Sequence, residues 1–200
     1  MKRVFDILII LLFSLPTVLI GTIIAILIKI DSKGSIFYKQ ERLGFKGKVF
    51  EIYKFRTMVE NAENIGSGIK TFQDDPRITT IGKFLRKTSL DEIPQLINVL
   101  KGDMSIIGPR PPVPYHPRKY QEYRKEQVKR FTVRPGITGY AQIKGRNNIS
   151  WDERIVYDIE YVNNLSFLLD IKIFILTIVK VFKKEGIHSN TKEEIHSNTK

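Results

Sequence analysis

Cysteine is absent from this chain, which excludes disulfide bonds, thiolate metal sites and thiol chemistry and leaves the redox compartment undetermined. Histidine is scarce. Two of the three, His188 and His196, lie in a repeat near the carboxyl terminus, so a histidine metal site is not expected. The chain also has no P-loop and no serine–histidine pair with the character of a catalytic triad. The signatures of P-loop NTPases and of serine hydrolases are therefore missing.

Positive charge and hydrophobic residues are what the chain has in abundance. Its 200 residues are 42% hydrophobic, enough to bury one substantial core, and we predict one domain with appendages. Lysine and arginine total 33 against 21 acidic residues, which gives a net charge of +12. That charge indicates an anionic partner, which can be nucleic acid, a membrane surface or a phosphorylated small molecule. Charge alone does not separate these three.

Residues 7–28 form a run of 22 uncharged positions with positive residues on both sides. A straight helix of that length would cover ~33 Å, enough for the ~30 Å hydrocarbon layer, so residues 1–30 are predicted to form a membrane segment. Pro16 lies in mid-segment, where it removes a backbone donor and bends a helix, and the Ser14 hydroxyl can satisfy a freed carbonyl. Because both flanks are positive, a span and a helix that enters, breaks and returns both remain open.

Two adjacent carboxylates, Asp91 and Glu92, lie between apolar residues. Ser89 and Glu92 have the spacing of a capping box, so a helix is predicted to begin here and to end at Gly102. In one interpretation the two acids only cap that helix and complement its dipole. In the other, their side chains diverge by ~100° and reach different atoms of one bound group, one attacking while the other holds a metal.

Basic residues lie on both sides of this acidic pair in the sequence. A predicted hairpin over 36–56 places Lys54 and Arg56 on one face of its second strand. A short predicted helix over 78–87 carries Arg86 to a position just before the pair. These cations can form an ordinary solvated face or surface ion pairs, or they can face a bound anion.

More arginines lie in two stretches that are stiffened by proline or interrupted by glycine. Arg110 lies in the proline-rich run 108–112, and Arg134 and Arg146 lie in 133–147, a β-prone run broken by glycines and prolines. One arginine guanidinium can bind two phosphate oxygens at once, and Mg²⁺ prefers hard oxygen ligands. An arginine-rich site with carboxylates therefore suits a pyrophosphate substrate bridged by a divalent cation.

The remaining segments are predicted to be mainly helical. Residues 117–130 are highly charged and predict an exposed helix, and a capping box opens a second helix over 150–163 that carries Asp158. The single tryptophan, Trp151, fits a core position or a membrane interface equally well. Residues 167–182 predict an amphipathic helix that packs on the core or lies on the membrane, because charges interrupt their apolar run.

Six short motifs together form a specific pattern. They are KRVFD at 2–6, YKFRTM at 53–58, LRKTSLDEIPQL at 85–96, NVLKGDMS at 98–105, GPRP at 108–111, and RPGITG at 134–139 followed by GR at 145–146. On these motifs, residues 1 to about 187 resemble the small monotopic phosphoglycosyl transferases, the bacterial sugar transferase family that starts glycan assembly on polyprenyl phosphate. The resemblance favours the catalytic interpretation of the acidic pair.

The resemblance implies a reaction and a site. Asp91 would attack the β-phosphate of a UDP-sugar and release UMP, and polyprenyl phosphate, normally undecaprenyl phosphate, would then take the sugar phosphate from the aspartate. Glu92 would hold Mg²⁺. The side chains implied to contact the phosphates or the nucleotide are Arg86, Arg110 and Arg146, followed by Lys54, Arg56, Arg134 and Asp158.

The implied fold is α+β and mainly helical, with a re-entrant helix–break–helix membrane segment at 1–30, small β-hairpin elements and amphipathic interfacial helices. The catalytic domain, 31–186, would lie on the cytoplasmic face of the bacterial inner membrane, and the repeat tail, 187–200, is predicted to be disordered. The break would lie at Ser14 and Pro16, although family members commonly have these two residue types adjacent.

The resemblance implies a UDP-sugar, polyprenyl phosphate and membrane lipid as partners, with no nucleic acid. A hypothesis from another class is a non-catalytic, membrane-tethered basic scaffold that binds anionic lipid or nucleic acid. The identity of the sugar, the glycan pathway and the oligomeric state are not predicted by the sequence.

Overall fold

A computed structural model describes residues 2–66, 68, 72, 74–145 and 148–182. Most of these residues are helical, and the strands within this part of the chain form two small two-stranded sheets. The predicted mainly helical α+β class is confirmed. The predicted disordered tail, 187–200, lies outside the described residues.

The apolar amino terminus forms one long helix, α1, Lys2–Asp31. Within the described part of the chain it is the one helix long and apolar enough to cross a membrane. Only 11% of an apolar stretch of 18 residues in this helix is buried. The predicted break is not confirmed, because α1 continues through Pro16, which leaves the Leu12 carbonyl without its usual donor. The Ser14 hydroxyl donates instead to the Leu11 carbonyl at 2.8 Å.

The first turns of α1 are fixed to the rest of the fold by charged side chains. Lys2 Nζ lies 2.6 Å from Asp170 Oδ2, and the buried Asp6 carboxylate accepts hydrogen bonds from the Ser105 hydroxyl at 2.9 Å and the Ile106 amide at 3.1 Å. The apolar side chains in the middle of the helix are exposed, whereas Ile24 and Ile28 near its end are buried in a second core cluster. Both ends of α1 are therefore held in the fold, with an uncovered apolar surface between them.

The predicted hairpin is confirmed. Strands β1, Phe37–Leu43, and β2, Val49–Phe55, pair antiparallel around a tight turn in which the Gly44 amide donates to the Lys48 carbonyl at 2.8 Å. Tyr38 lies opposite Lys54 in this register. Since directly opposite residues share a face, alternate residues of β1 lie on the face that carries Lys54.

Two helices flank the acidic pair: α2, Thr80–Thr88, and α3, Gln95–Lys101. The capping box predicted at Ser89 and Glu92 is wrong. Ser89 ends α2 in the left-handed conformation, with φ of 59°, and its side chain caps nothing. Gly102 ends α3 with φ of 89°, as predicted.

A parallel pair of short strands, β3 (Ser105–Ile107) and β4 (Gly136–Thr138), holds the loop that carries Arg110. A Cβ on Gly136 would lie 2.1 Å from the backbone nitrogen of Gly108, so only glycine permits this close approach. The rest of the run that was predicted to be β-prone differs from expectation, because Tyr140–Lys144 forms a helix, α5.

The exposed helix predicted over 117–130 is also wrong. The segment forms a helical turn of four residues, α4, Lys125–Val128, between two 3₁₀ turns. Burial explains the difference, because Tyr123 and Phe131 pack edge to face in a satellite core with ring centroids 5.1 Å apart. One straight surface helix would leave these aromatic side chains in solvent.

Two further helices follow: α6, Trp151–Asn163, and α7, Phe167–Phe182. The second capping box is confirmed, since Ser150 accepts from the Glu153 amide and the Glu153 side chain accepts from the Ser150 amide. Helix α7 packs on the core through Ile173, which is fully buried, while Leu168 on another side of the helix is exposed. Contact of this helix with the membrane stays a prediction.

The main core joins seven of the helices and strands. It contains Ile10 of α1, Ile52 of β2, Val99 of α3, Ile107 of β3, Ile143 of α5, Tyr161 of α6 and Ile173 of α7. Because α3 and β3 lie on either side of Gly102, this core fixes both the turn that carries the acidic pair and the loop that carries Arg110.

Candidate active site

Asp91 and Glu92 lie together on one 3₁₀ turn, Leu90–Glu92, between α2 and α3. The left-handed Ser89 reverses the chain after α2, and Pro94 starts α3 two residues beyond the pair. Both acids line a cavity of about 1080 Å³ whose walls also include residues of β1, β2, α5, α6 and α7. The acidic pair is thus presented by a rigid turn between two packed helices.

Glu92 is bound on both oxygens by two basic side chains. Arg110 donates from Nη2 to Oε1 at 2.6 Å and from Nη1 to Oε2 at 3.3 Å, and Lys54 Nζ donates to Oε1 at 2.8 Å. Burial opposes the ionisation of Glu92, but the charges of Arg110 and Lys54 more than offset it and hold the pKa well below its usual range. Glu92 is therefore a fixed anion.

Asp91 has a different environment. Its side chain is largely buried and lies 3.8 Å from Lys54 Nζ, and within the described residues no group donates a hydrogen bond to its carboxylate. Burial raises the pKa of Asp91, and the neighbouring charge of Glu92 adds to the rise, while Lys54, Arg110 and Arg86 oppose it. Because the Asp91 carboxylate accepts no hydrogen bond from the described residues and lies beside cations, its oxygens are available to attack a bound phosphate.

Two more of the predicted basic residues reach the same cavity. Arg86 lines it and donates from Nε to the Thr57 hydroxyl at 2.8 Å. Arg56 lines it too, but its guanidinium donates to the backbone carbonyls of Ser32 and Lys33, just after α1. Arg56 therefore connects the end of the apolar helix to the cavity wall, which is a positioning role.

Other predicted site residues are placed elsewhere. Arg134 donates to the Gly102 carbonyl at 2.8 Å, and neither Arg134 nor Asp158 is among the described residues that line the cavity. Asp158 is buried and accepts two hydrogen bonds from Arg130, at 2.6 and 3.0 Å. Arg130 in turn donates to the Arg110 carbonyl at 2.9 Å, so Asp158 supports the site through the backbone of Arg110. Arg146 lies outside the described residues.

Four side chains that the sequence did not single out as site residues also line the cavity: Arg42, His116, Trp151 and Arg154. One signal could have found Arg42. Tyr38, Gln40 and Arg42 alternate along β1, and the hairpin register places them on the face of Lys54. The other three lie far from the acidic pair in the sequence, and no local sequence pattern predicts that they line the same cavity.

The candidate metal ligand is Glu92. Within the described part of the chain no group of three or more acidic, histidine or cysteine side chains forms a ready metal site. Mg²⁺ is commonly held by one or two carboxylates together with substrate phosphates, and Glu92 fits that kind of site. Glu92, whose oxygens already accept from Arg110 and Lys54, would share them between these cations and the ion.

Comparison with known proteins identifies the family. Residues 1–184 match the model of the bacterial sugar transferase family. The uncharacterized sugar transferase EpsL of Bacillus subtilis is 46% identical over 190 residues, which are 94% of this chain and 90% of EpsL. The exopolysaccharide production protein ExoY of Sinorhizobium fredii is 39% identical, with 92% of this chain and 87% of ExoY covered.

A third relative has a more specific name. The UDP-glucose:undecaprenyl-phosphate glucose-1-phosphate transferase of Escherichia coli is 41% identical over 187 residues, which are 91% of this chain and 40% of that protein. The chain thus spans less than half the length of this relative but nearly all of EpsL. It belongs to the bacterial sugar transferase family.

Proposed function

We propose that this protein is a phosphoglycosyl transferase that moves a sugar 1-phosphate from a UDP-sugar to polyprenyl phosphate, undecaprenyl phosphate in bacteria, and releases UMP. The reaction would be the first membrane step in the assembly of an exopolysaccharide or a related glycan. The observation that carries the proposal is the unequal pair: Asp91 accepts no hydrogen bond in the described structure, while Glu92 is bound by Arg110 and Lys54. The names of the relatives support the same substrates.

In the first half-reaction an Asp91 oxygen attacks the β-phosphorus of the UDP-sugar. An oxygen–phosphorus bond forms to Asp91, the bond between the β-phosphorus and the bridging oxygen breaks, and UMP leaves with that oxygen and its electron pair. The sugar phosphate stays on the aspartate as an acyl phosphate. The raised pKa of Asp91 favours this step, because a more basic carboxylate is a stronger nucleophile.

In the second half-reaction a phosphate oxygen of the polyprenyl phosphate attacks the same phosphorus. The bond to Asp91 breaks, the carboxylate regains its electron pair, and the product is a polyprenyl diphosphate sugar. Because the donor has already left as UMP, the two anionic substrates need not occupy the cavity together. A covalent intermediate therefore suits a site in which negative charge would otherwise accumulate.

Basic side chains make this chemistry possible. Two anionic substrates must approach the carboxylates of Asp91 and Glu92, and Lys54, Arg86 and Arg110 offset that repulsion from fixed positions. Mg²⁺, held by Glu92 and the substrate phosphates, would neutralise charge on the pyrophosphate. Glu92 also aligns Arg110 and Lys54 for this purpose through hydrogen bonds of 2.6 and 2.8 Å.

The exposed apolar surface of α1 supports membrane attachment, and we propose that α1 re-enters the cytoplasmic leaflet of the inner membrane with a break at Pro16. This topology would hold the cavity at the membrane surface, where lipid and nucleotide meet. Because the chain has no cysteine, single cysteines placed ahead of Met1 and at Lys33 report the location of each end of the segment. Both should resist an impermeant thiol reagent in intact cells, whereas labelling of the amino-terminal cysteine alone would show a span.

Trapping the intermediate tests the proposal directly. The purified protein is incubated with Mg²⁺ and UDP-sugars such as UDP-glucose, UDP-galactose and UDP-N-acetylglucosamine, without acceptor. We expect at most one UMP per protein and a sugar-phosphate adduct on the peptide that contains Asp91. A protein that turns over with acceptor but never carries an adduct would contradict the covalent route.

The same experiment separates an enzyme from the scaffold hypothesis. A basic scaffold would bind anionic vesicles in a salt-sensitive way, would release no UMP from any UDP-sugar, and would be indifferent to substitution of Asp91. UMP release that requires polyprenyl phosphate for repeated turnover would exclude it.

A further inference from the structure

Three arginine side chains line the cavity beyond Glu92: Arg110, Arg42 from β1, and Arg154 from α6. Arg42 donates to the Pro111 carbonyl at 3.0 Å and to the Gln40 side-chain oxygen, both neutral partners, and its Nε is buried without a hydrogen bond. Burial, with the positive charge of Arg110 nearby, lowers the pKa of Arg42 to about 10, and the same two causes lower the pKa of Arg154. An anion between such groups would relieve their mutual repulsion.

Next to Arg154 the cavity is lined by two aromatic rings. Trp151 and His116 pack edge to face, with ring centroids 5.9 Å apart and planes at 84°. Trp151 and Arg154 are three residues apart on one face of α6, and the Arg154 guanidinium carbon lies 5.2 Å from the centre of the Trp151 ring. These three residues, the aromatic corner, suit a flat heteroaromatic ring, because aromatic side chains and guanidinium planes both stack on nucleobases.

We propose that the aromatic corner binds the uracil base of the donor and that Arg42 and Arg154 bind its α-phosphate. This assignment rests on the proposed function and adds to it the direction in which the donor lies. The corner and the nucleophile share one cavity, which Trp151, Arg154 and Asp91 all line, and Arg110, 2.6 Å from Glu92, is near enough for its charge to act on Arg154.

The charges of the donor explain why the base, rather than the sugar, occupies the corner. Asp91 has to reach the β-phosphate, which lies between the sugar and the α-phosphate. A neutral sugar requires no cation, whereas the α-phosphate carries negative charge and matches Arg42 and Arg154. The corner, where Arg42 and Arg154 lie beside flat rings, is therefore the direction of the nucleoside, and the sugar lies on the side of Asp91 away from it.

Intrinsic fluorescence tests the assignment on the unmodified protein, because Trp151 is the only tryptophan. UMP is expected to quench its emission saturably, at concentrations that also inhibit turnover. Ribose 5-phosphate, which lacks the base, and glucose 1-phosphate, which carries a sugar instead, should leave the emission unchanged at the same concentrations. The proposal is overturned if UMP inhibits turnover without changing the emission, or if either of the other phosphates quenches as strongly.

Kinetics supply a second readout. Trp151→Leu should raise KM for the UDP-sugar about tenfold, the size expected for loss of one base–aromatic contact, with kcat little changed because the contact is equal in ground and transition states. Trp151→Phe, which keeps a ring, should raise it less. An unchanged KM in the leucine variant, or a loss confined to kcat, would overturn the assignment. A wild-type protein that releases no UMP at all would count against the proposed function instead.

Discussion

The acidic turn and the buried ion pairs of this protein each contain a buried aspartate near arginine, but only in the ion pairs is the aspartate hydrogen-bonded to the arginine. Asp75 accepts hydrogen bonds from Arg77 at 2.6 and 2.9 Å, and Asp158 accepts from Arg130 at 2.6 and 3.0 Å. Asp91 also has arginines nearby but accepts no hydrogen bond from them in the described structure. A buried aspartate that an arginine already binds stabilises the fold, whereas one that lies among cations without bonding to them is available to a substrate.

The pKa values of Asp75 and Asp91 differ in the same sense, although burial raises the pKa of Asp158 as well. The Arg77 hydrogen bonds lower the pKa of Asp75 to about 2, which makes it a weak base and a poor nucleophile. Burial raises the pKa of Asp91, and only nearby charges, with no hydrogen bond from the described residues, oppose that rise. Substitutions in the two regions should therefore have different consequences, one for chemistry and the other for stability.

The largest effect is expected from Asp91→Asn. The amide cannot form the acyl phosphate, so turnover should fall by about 10⁴-fold or more, as when other enzymes lose a nucleophile. The melting temperature should not fall, because Asp91 accepts no hydrogen bond that the variant would lose. UMP release and thermal unfolding measure the two quantities.

Asp74→Asn is the matched control for that variant. Asp74 is exposed and has φ of 60°, a conformation that asparagine tolerates, so both activity and melting temperature should stay at wild-type values. Turnover near wild type in Asp91→Asn would contradict the covalent mechanism.

The opposite pattern is expected from Asp75→Asn. The substitution removes the carboxylate charge that faces the buried Arg77 guanidinium and should lower the free energy of unfolding by about 3–5 kcal/mol. Some activity should survive at low temperature, since Asp75 is not among the described residues that line the cavity. Thermal unfolding together with UMP release at 10 °C and 30 °C separates a loss of stability from a loss of chemistry.

The same pair predicts an acid limit to stability. Because the pKa of Asp75 is lowered in the folded state to about 2, its contribution is complete above the unfolded pKa of ~3.9 and is lost as pH falls toward 2. Asp75→Asn should remove this part of the acid dependence. Denaturation curves that keep the same pH dependence in the variant would show that Asp75 is not its source.

An intermediate effect is expected from Arg110→Gln. Arg110 binds Glu92 through two hydrogen bonds and faces the cavity, so loss of its charge should lower kcat/KM by about 10²-fold, the size typical for one transition-state donor. Arg134→Gln is the control. The resemblance groups Arg134 with the site, but its guanidinium donates to the Gly102 carbonyl, so we expect a change of less than about threefold. Equal losses of kcat/KM in the two variants would contradict the inference that Arg110 belongs to the site and Arg134 does not.

Local signals explain most of what the sequence predicted correctly. The turn of the hairpin, the end of α3 at Gly102 and the capping box at Ser150 and Glu153 each depend on residues within one turn of each other. The error at Ser89 and Glu92 shows the limit, because this pair has the same spacing as Ser150 and Glu153. Spacing does not say whether the serine precedes a helix or ends one. Here Ser89 ends α2 in the left-handed conformation and does not cap the next helix.

The sequence motifs named candidate residues for the site, but they did not predict which of these residues contact each other. Glu92 and Arg110 are 18 residues apart, and Asp158 and Arg130 are 28 apart, so only the packing of α3, β3 and α6 brings each pair together. Sequence patterns therefore identified the acids but could not tell a substrate ligand from a structural ion pair. Arg134 and Asp158, which the resemblance groups with the site, bind the Gly102 carbonyl and Arg130 in the structure, and their role in the reaction stays a prediction.

The smallest effect concerns Lys54, which bridges the two acids at 3.8 Å from Asp91 and 2.8 Å from Glu92. Asp91 attacks only when ionised, so activity should fall as pH drops through its pKa, which burial raises and Lys54 opposes. Lys54→Gln removes that opposition, so the pKa of Asp91 should rise further and the acid limb of kcat/KM should move to higher pH. The pH–rate profiles of the two proteins measure the shift.

A control separates this effect from a general loss of positive charge. Lys39→Gln removes a lysine from the exposed pair with Glu51 on the same hairpin, and its acid limb should coincide with that of the wild type. If Lys54→Gln lowered the rate equally at every pH, Lys54 would act on the substrate phosphates alone. The difference between the pKa values of Asp91 and Glu92 would then not depend on Lys54. It would come from burial and from Arg110 instead.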